Sequence, residues 1–399
     1  MSSMAKGTVS ARAETRGMLG RDISADDERR YRAESRLLRT RGQQVMALVI
    51  AVAAIGAPFA FAADVDLPYN FPWSSWLNTI NQALVALIAA AAFNLLLGYT
   101  HQVSVAHAAI LMLGACTGGY LGAVHGWPFP IVLVAAFVAG VLLGVVVGTP
   151  ALRLTGLYLM IATLGLHFIA LFLYRKFLVA QFGFAPMVLP APQIPGWLAP
   201  LFGGDFGESM RVRGDDVWYW ILLPLAVVSM LVMVNVLRSR EGRAFRAVGE
   251  RDVSAALIGI NVTLTKLRAF ALSSGFVAFA GALGSYYIGA RGEDSFPFTL
   301  VLNYAIMIIV GGLGSMRGAV FGVFFFYSVR DILGWALKSL PGLNSVGLLQ
   351  RYPAELNLAL FGVLIIVVLI LRPDGLDGIY LALKRWLTGQ WQRWRGRTS

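Results

Sequence analysis

Cysteine is almost absent: Cys116 stands alone, inside an apolar stretch. That excludes an internal disulfide and any metal site built on clustered thiolates, leaves the redox compartment unassigned, and makes packing its expected role. Charge is scarce as well. Only 14% of the 399 residues are Asp, Glu, Lys or Arg, against 57% apolar, and the mean hydropathy is +0.68. A chain of this balance lacks the polar surface of a soluble domain and reads as an all-α polytopic integral membrane protein. No Gly-Lys dipeptide occurs, so a phosphate-cradling loop of the usual form is excluded. Work driven by a nucleotide has to come from another chain.

What charge there is carries a pattern. The net charge is +12, and the whole excess sits in three segments: residues 1–44, 238–268 and 372–399 each carry four more basic than acidic residues. Basic segments flanking apolar spans mark the cytoplasmic side. The charge is dispersed and mostly lacks interleaved aromatics, so nucleic acid is not an expected partner, whereas membrane lipid is.

Apolar runs of roughly 20 residues, the length needed to cross about 30 Å of hydrocarbon, fall near 45–63, 79–98, 104–123, 129–148, 156–174, 217–237, 267–288, 299–316, 318–338 and 355–371. About ten transmembrane helices alternate from an inside start to an inside finish. Both termini and 238–266 are then cytoplasmic, as the basic segments require. The chain divides into a basic N-terminal tail at 1–44, a membrane domain at 45–371 and a basic C-terminal tail at 372–399. The first 44 residues exceed the basic region of an ordinary signal peptide, so 45–63 is expected to stay as a first span although Ala60-Phe61-Ala62 resembles a cleavage site. Residues 175–216 become an external loop rich in proline, with room for a short interfacial helix; it is either a spacer or a docking surface. The Gly-rich boundaries at 98–104 and 311–318 are spans' ends or re-entrant breaks.

Glycine recurs at four-residue spacing in Gly114, Gly118 and Gly122, in Gly140, Gly144 and Gly148, and in Gly314, Gly318 and Gly322. Such ridges let helix backbones approach closely. No internal duplication is evident.

The most polar interior stretch runs from Arg240-Glu241-Gly242-Arg243-Ala244-Phe245-Arg246 through Glu250 and Asp252 to Gly259-Ile260-Asn261. It is too polar for lipid and lies on a membrane face. Phe245 and Val248 share one side of a first short helix that Gly249 is expected to end in a left-handed cap. Asp252 then opens a second turn, Val253 to Ile258, that Gly259 ends. Composition leaves two readings: a basic interfacial helix that fixes topology, or a lever pressed by a cytoplasmic protein.

These residues, with Lys266-Leu267-Arg268-Ala269-Phe270, resemble the coupling segment of permease subunits from branched-chain amino-acid ABC importers. Further motifs follow in the family's order: Asn94-Leu95-Leu96-Leu97-Gly98-Tyr99, Gln102-Val103-Ser104, Gly156-Leu157-Tyr158, Gly311-Gly312-Leu313-Gly314-Ser315 and Arg372-Pro373-Asp374-Gly375-Leu376, so that 77–378 is covered. The resemblance implies a transport subunit, not an enzyme, in a bacterial inner membrane. Its implied partners are a second permease subunit, two cytoplasmic ABC ATPases and an extracytoplasmic solute-binding protein. No cofactor or metal is expected in this chain, ATP being used by the partner subunits. It also implies ATPase coupling through Glu241, Gly242, Arg243, Phe245, Arg246, Glu250 and Gly259. The chain departs from the family pattern at three places: glycine at 249 where arginine is common, histidine at 101 where glycine is common, and Ala319 where proline is frequent.

For the solute path, 98–109 is the first candidate, because a Gly-rich interruption between spans frees backbone polar groups that only protein or a water-filled cavity can satisfy. Gln102, Ser104 and His107 add side-chain donors and acceptors. A plain hairpin with capped helix ends is the competing reading. Thr155, Thr163 and His167 lie on the next span, the last two on one face; bonding back to preceding carbonyls is their simpler role. Asp331 and Glu355 fall at span ends where water reaches them. Branched-chain or other hydrophobic amino acids are the first expected substrate, urea or a short amide the alternative. An ion-coupled secondary transporter is a different class, which calls for ionisable groups deep in the spans; these are almost lacking here.

Overall fold

Long apolar runs have one economical form in lipid, a helix that satisfies its own backbone. In the computed structural model residues 76–151, 157–178, 187–189, 191–194, 210–211 and 214–339 are described, together with Gly56, helical positions scattered through 359–370, and 375–380. All of these except Gly56 belong to one unit, Pro58–Ser399.

The helices are α1 (Trp76–Asn94), α2 (His107–Gly119), α3 (Phe129–Ala151), α4 (Leu157–Leu173), α5 (Asp215–Arg238), α6 (Arg240–Glu250), α7 (Asp252–Leu257), α8 (Val262–Ile288), α9 (Thr299–Gly311) and α10 (Met316–Ser339). Wide π turns extend α1 over Leu95–Tyr99, α2 over Tyr120–Val124 and α4 over Tyr174–Leu178. Among the described residues seven helices are long and apolar enough to cross a membrane, and they coincide with seven of the expected runs. The run at 299–316 is corrected. Its helix stops at Gly311 after 13 residues, about 20 Å at 1.5 Å per residue, short of roughly 30 Å of hydrocarbon. The reason is the turn that follows, where Gly312 has φ +122° and Gly314 φ +71°. The runs 45–63 and 355–371 lie outside the described residues apart from the positions given above, as do the tail 1–44, Thr155 and Glu355.

α1 and α8 form the centre. In each, 78% of the most apolar window is buried, against 22% in α4 and α10. α8 packs most extensively on α3 and α2, and two of the glycine ridges explain why. A Cβ on Gly114 of α2 would fall 1.9 Å from the carbonyl oxygen of Ala278, and one on Gly122 1.9 Å from the Tyr286 hydroxyl. From the other side, Gly140 faces Ser274 and Ala278, and Gly144 faces Ser274 and Ala271. Both ridges therefore close within the chain, on successive turns of α8. The third ridge is only partly one: Gly318 and Gly322 approach Gly311 and Met307 of α9, whereas Gly314 belongs to the turn. The outer helices expose large apolar side chains, Val146 and Leu142 of α3 and Phe168, Ile169 and Phe172 of α4 among them, which is the surface an apolar solvent requires.

Within 187–211 the described residues are extended rather than helical. β1 (Met187–Val188) pairs antiparallel with β4 (Ala290–Arg291), with Met187 opposite Arg291, and β2 (Gln193–Ile194) pairs with β3 (Met210–Arg211). The alternating prolines of this stretch favour extended backbone and disfavour a helix interior.

Candidate functional site: a two-helix island and the break beside it

The polar stretch forms the two short helices expected, with one boundary moved. Gly242, Phe245 and Val248 recur every third residue and are the buried face of α6; Phe245 is 1% exposed. α6 turns back tightly on α5, so that a Cβ on Gly242 would meet the Leu237 carbonyl at 2.2 Å. Two arginines seal that junction. Arg246 donates to the Leu237 carbonyl at 3.2 Å and Arg243 to the Arg238 carbonyl at 3.4 Å, satisfying the negative, unpaired end of α5.

Gly249 does not cap the helix. It lies within α6, which runs on to Glu250 and ends at Arg251 in extended conformation. Its role is clearance: a Cβ there would stand 2.2 Å from the Tyr99 carbonyl oxygen. Asp252 begins α7 without capping it, and its carboxylate pairs with Lys266 of α8. Gly259, with φ +83°, does end the second helix. Its N–H donates to Ala256 and that of Ile260 to Ala255, the paired bonds of a Schellman cap. Asn261 then caps α8 by accepting the Leu264 N–H at 3.0 Å. Glu241 reaches Arg268 of α8 at 2.6 Å. Both helices are thus tied to the start of α8, and between α6 and α8 runs a groove of about 500 Å³ lined by Arg240, Glu241, Arg243, Ile258 and Leu264.

The opposite surface is unlike the buried one. Val253, Leu257 and Ile258 are 74%, 84% and 73% exposed, an apolar tip beside the exposed Arg243, Glu250 and Arg251. The sequence reading had singled out Phe245; α7 supplies the large apolar groups that another protein can touch. Their signal was present as three apolar residues in the most polar interior stretch of the chain.

The break after α1 lies against this island. Thr100 donates to the Leu96 carbonyl at 2.6 Å, and the Gln102 amide donates to Thr100 at 3.1 Å, so Gln102 serves its own turn. Ser104 is fully buried and accepts the Ala106 N–H at 3.3 Å. The Val105 N–H donates to Thr163 of α4 at 3.0 Å, while the Thr163 hydroxyl faces the Leu159 carbonyl at 2.8 Å. Thr163 therefore makes both the back-bond and a tertiary contact. His107, 1% exposed, sits edge-on to Phe93 with ring centroids 4.3 Å apart, and its Nε2 lies 3.1 Å from the Ser273 hydroxyl. That hydroxyl donates to the Ala92 carbonyl at 2.6 Å; having one proton, it accepts from Nε2–H. His167 lies one turn beyond Thr163 on α4, buried, with its Nδ1 unpartnered. Ser104, His107 and Thr163 are thus brought together, with His167 in line behind Thr163.

Ser273 and Asn94 were not among the sequence candidates. Their signal is a polar side chain deep in an apolar span, which has to find a partner inside the protein. At the second break, Gly375 of the C-terminal motif fits against Gly312, where a Cβ would lie 2.7 Å from the Gly312 nitrogen. Arg317 approaches the buried Asp377 at 3.4 Å. Ala319 donates its N–H to the Ser315 carbonyl at 3.1 Å, a bond that a proline cannot make.

A bundle of apolar helices around two glycine breaks, with a polar two-helix island tied to it, defines a multi-pass membrane transport component. The family model for the permease component of branched-chain amino acid transport systems matches residues 75–369, and the chain belongs to that family. It is 24% identical over 353 residues to the high-affinity branched-chain amino acid transport system permease protein LivM of Salmonella typhimurium, covering 84% of this chain and 75% of that one. The LivM protein of Escherichia coli K12 is 24% identical over 73% of this chain and 68% of its own length. The permease protein LivH of the same organism is 26% identical over 68% and 79%. No solved structure matches the chain.

Proposed function

We propose that this chain is a pore-forming subunit of an ABC importer that passes branched-chain amino acids across a bacterial inner membrane. A solute-binding protein delivers the amino acid from outside, a second permease subunit completes the path, and two ATPases on the cytoplasmic side drive the cycle. ATP is bound by those subunits and none by this chain. In this arrangement both termini and 240–259 are cytoplasmic, and 175–216 faces the binding protein.

The observation that carries this reading is the two-sided build of the island. Phe245 and Val248 lock it to the bundle, while Val253, Leu257 and Ile258 stand out beside arginines. An apolar tip with a basic rim fits a hydrophobic notch on an acidic partner surface, which is what an ATPase subunit has to offer if it is to move the bundle. Glu241, Gly242, Arg243, Phe245 and Arg246 then hold the lever to the body, and Glu250 lies at its outer surface with Gly259 ending its second arm. Only contacts that differ between two states of the bundle can shift its equilibrium, and the lever provides them. Ser104, His107, Thr163 and His167 line the inner part of the path, with Gln102 shaping its turn.

Reconstitution in proteoliposomes tests the reading. With the ATPases and the binding protein present, ATP-dependent uptake of leucine is expected, and excess urea does not compete. Accumulation by this chain alone under an ion gradient overturns it.

A further inference from the structure

The island and the break meet at one point. Nδ1 of His101 lies 2.6 Å from the carbonyl oxygen of Gly249. A carbonyl only accepts, so Nδ1 carries the hydrogen. Among the described residues His101 is the one non-glycine with positive φ, +50°, a conformation that persists when surrounding contacts over-determine it. The contact depends on the glycine as well, because any Cβ at 249 would collide with the Tyr99 carbonyl. One turn earlier on α6, the Arg246 guanidinium stands 5.8 Å from the Tyr99 ring centroid, and Tyr99 meets the backbone of Met316 at the start of α10. From His101 the chain continues through Gln102, folded on Thr100, to Val105 on Thr163 and His107 on Ser273. Two residues separate His101 from Ser104, and the backbone N–H of the first, Gln102, donates to the Leu96 carbonyl at 3.2 Å.

We propose that His101 is a positioning residue, a strut that fixes α6 to the break so that displacement of the island moves residues 102–107 and the buried contacts of His107 and Thr163. The proposal rests on the reading of 240–259 as the lever pressed by an ATPase. Without the strut, α6 still packs through Phe245 and Val248, but its backbone at Gly249 is no longer tied to the break, and motion reaching it is lost before the path. The geometry is a contiguous set of contacts, and its energetic coupling is what an experiment has to measure.

The test uses the full transporter with its ATPases and binding protein in proteoliposomes, and reads leucine moved per ATP hydrolysed. His101→Gly removes the strut and relieves the backbone at the same time. His101→Asn tolerates the left-handed conformation and offers an amide N–H near the place of Nδ1. The glycine variant is expected to assemble and to hydrolyse ATP with the transport ratio lowered about fivefold, the low end of ordinary inter-site coupling, and the asparagine variant to restore most of it. An unchanged ratio in His101→Gly, an asparagine variant as poor as glycine, or failure of the glycine variant to assemble each overturns the strut. Absence of ATP-dependent uptake by the unmodified complex overturns the lever reading instead, so the two failures are distinct.

Discussion

The side-chain oxygen of Asn94 accepts the backbone N–H of Gly314 at 3.1 Å, and its amide donates to the Ser315 carbonyl at 2.9 Å. One fully buried asparagine therefore staples the two glycine breaks together, satisfying backbone groups that the turn at 312–315 leaves out of any helix. Gly98 completes the junction, since a Cβ there would stand 2.5 Å from the Gly314 nitrogen. Truncating a partner of buried polar groups leaves them unpaired, at a cost of about 1–3 kcal/mol. Asn94→Ala is expected to lower the stability of the detergent-purified protein by that amount, read as an earlier melting transition. Asn78→Ala, at an exposed bond to Gln82, is expected to change it by under about 0.5 kcal/mol.

Phe245 and the pair Leu257 and Ile258 separate anchoring from docking. Phe245→Ala removes a fully buried ring and is expected to cost about 3–5 kcal/mol, visible as lost thermal stability of the purified chain. The double substitution Leu257→Ser and Ile258→Ser touches exposed side chains and is expected to leave the melting curve in place while the ATPases dissociate on size-exclusion chromatography. Retention of the ATPases by that variant rules out α7 as the docking tip.

Two helix glycines should respond in opposite directions. Gly114→Ala drives a Cβ against the Ala278 carbonyl at the α2–α8 contact, and overpacking of this kind costs about 1–3 kcal/mol or more. At Gly165 of α4 a Cβ meets nothing within 4 Å, and Gly→Ala in a helix gains roughly 0.5–1 kcal/mol. Thermal unfolding of the two variants in one detergent checks the sign of each.

Ser273→Ala leaves the Nε2–H of His107 without its acceptor in a buried setting, worth about 1–3 kcal/mol. Uptake is expected to fall while the binding protein still docks, because the site lies inside the bundle, away from the outer segments. Wild-type uptake at an unchanged Tm removes the His107–Ser273 link from the mechanism.

The spans were legible because lipid imposes one rule on every turn: apolar composition and a length near 20 residues suffice. The island was legible for the converse reason, its polarity, and Gly259 could be placed because a glycine cap is local chemistry. Gly249 could not be. Nothing within the island says that Tyr99, far away in sequence, presses against it, and a glycine kept for clearance looks the same as one kept for a left-handed cap. Phe245 shows a similar limit: helical spacing puts it on the apolar side of α6 but leaves undecided whether the bundle or a partner covers that side.

By itself the sequence determined the membrane class, the positions of most helices and the two glycine breaks, since each follows from composition or from interactions a few residues apart. Tertiary structure decided which polar groups meet: Asn94 with the second break, Ser273 with His107, and His101 with Gly249. Those pairings depend on how α1, α6, α8 and the breaks pack together, and helix packing is fixed by close backbone approach at Gly114, Gly140 and Gly249, a property of two surfaces rather than of either sequence segment alone.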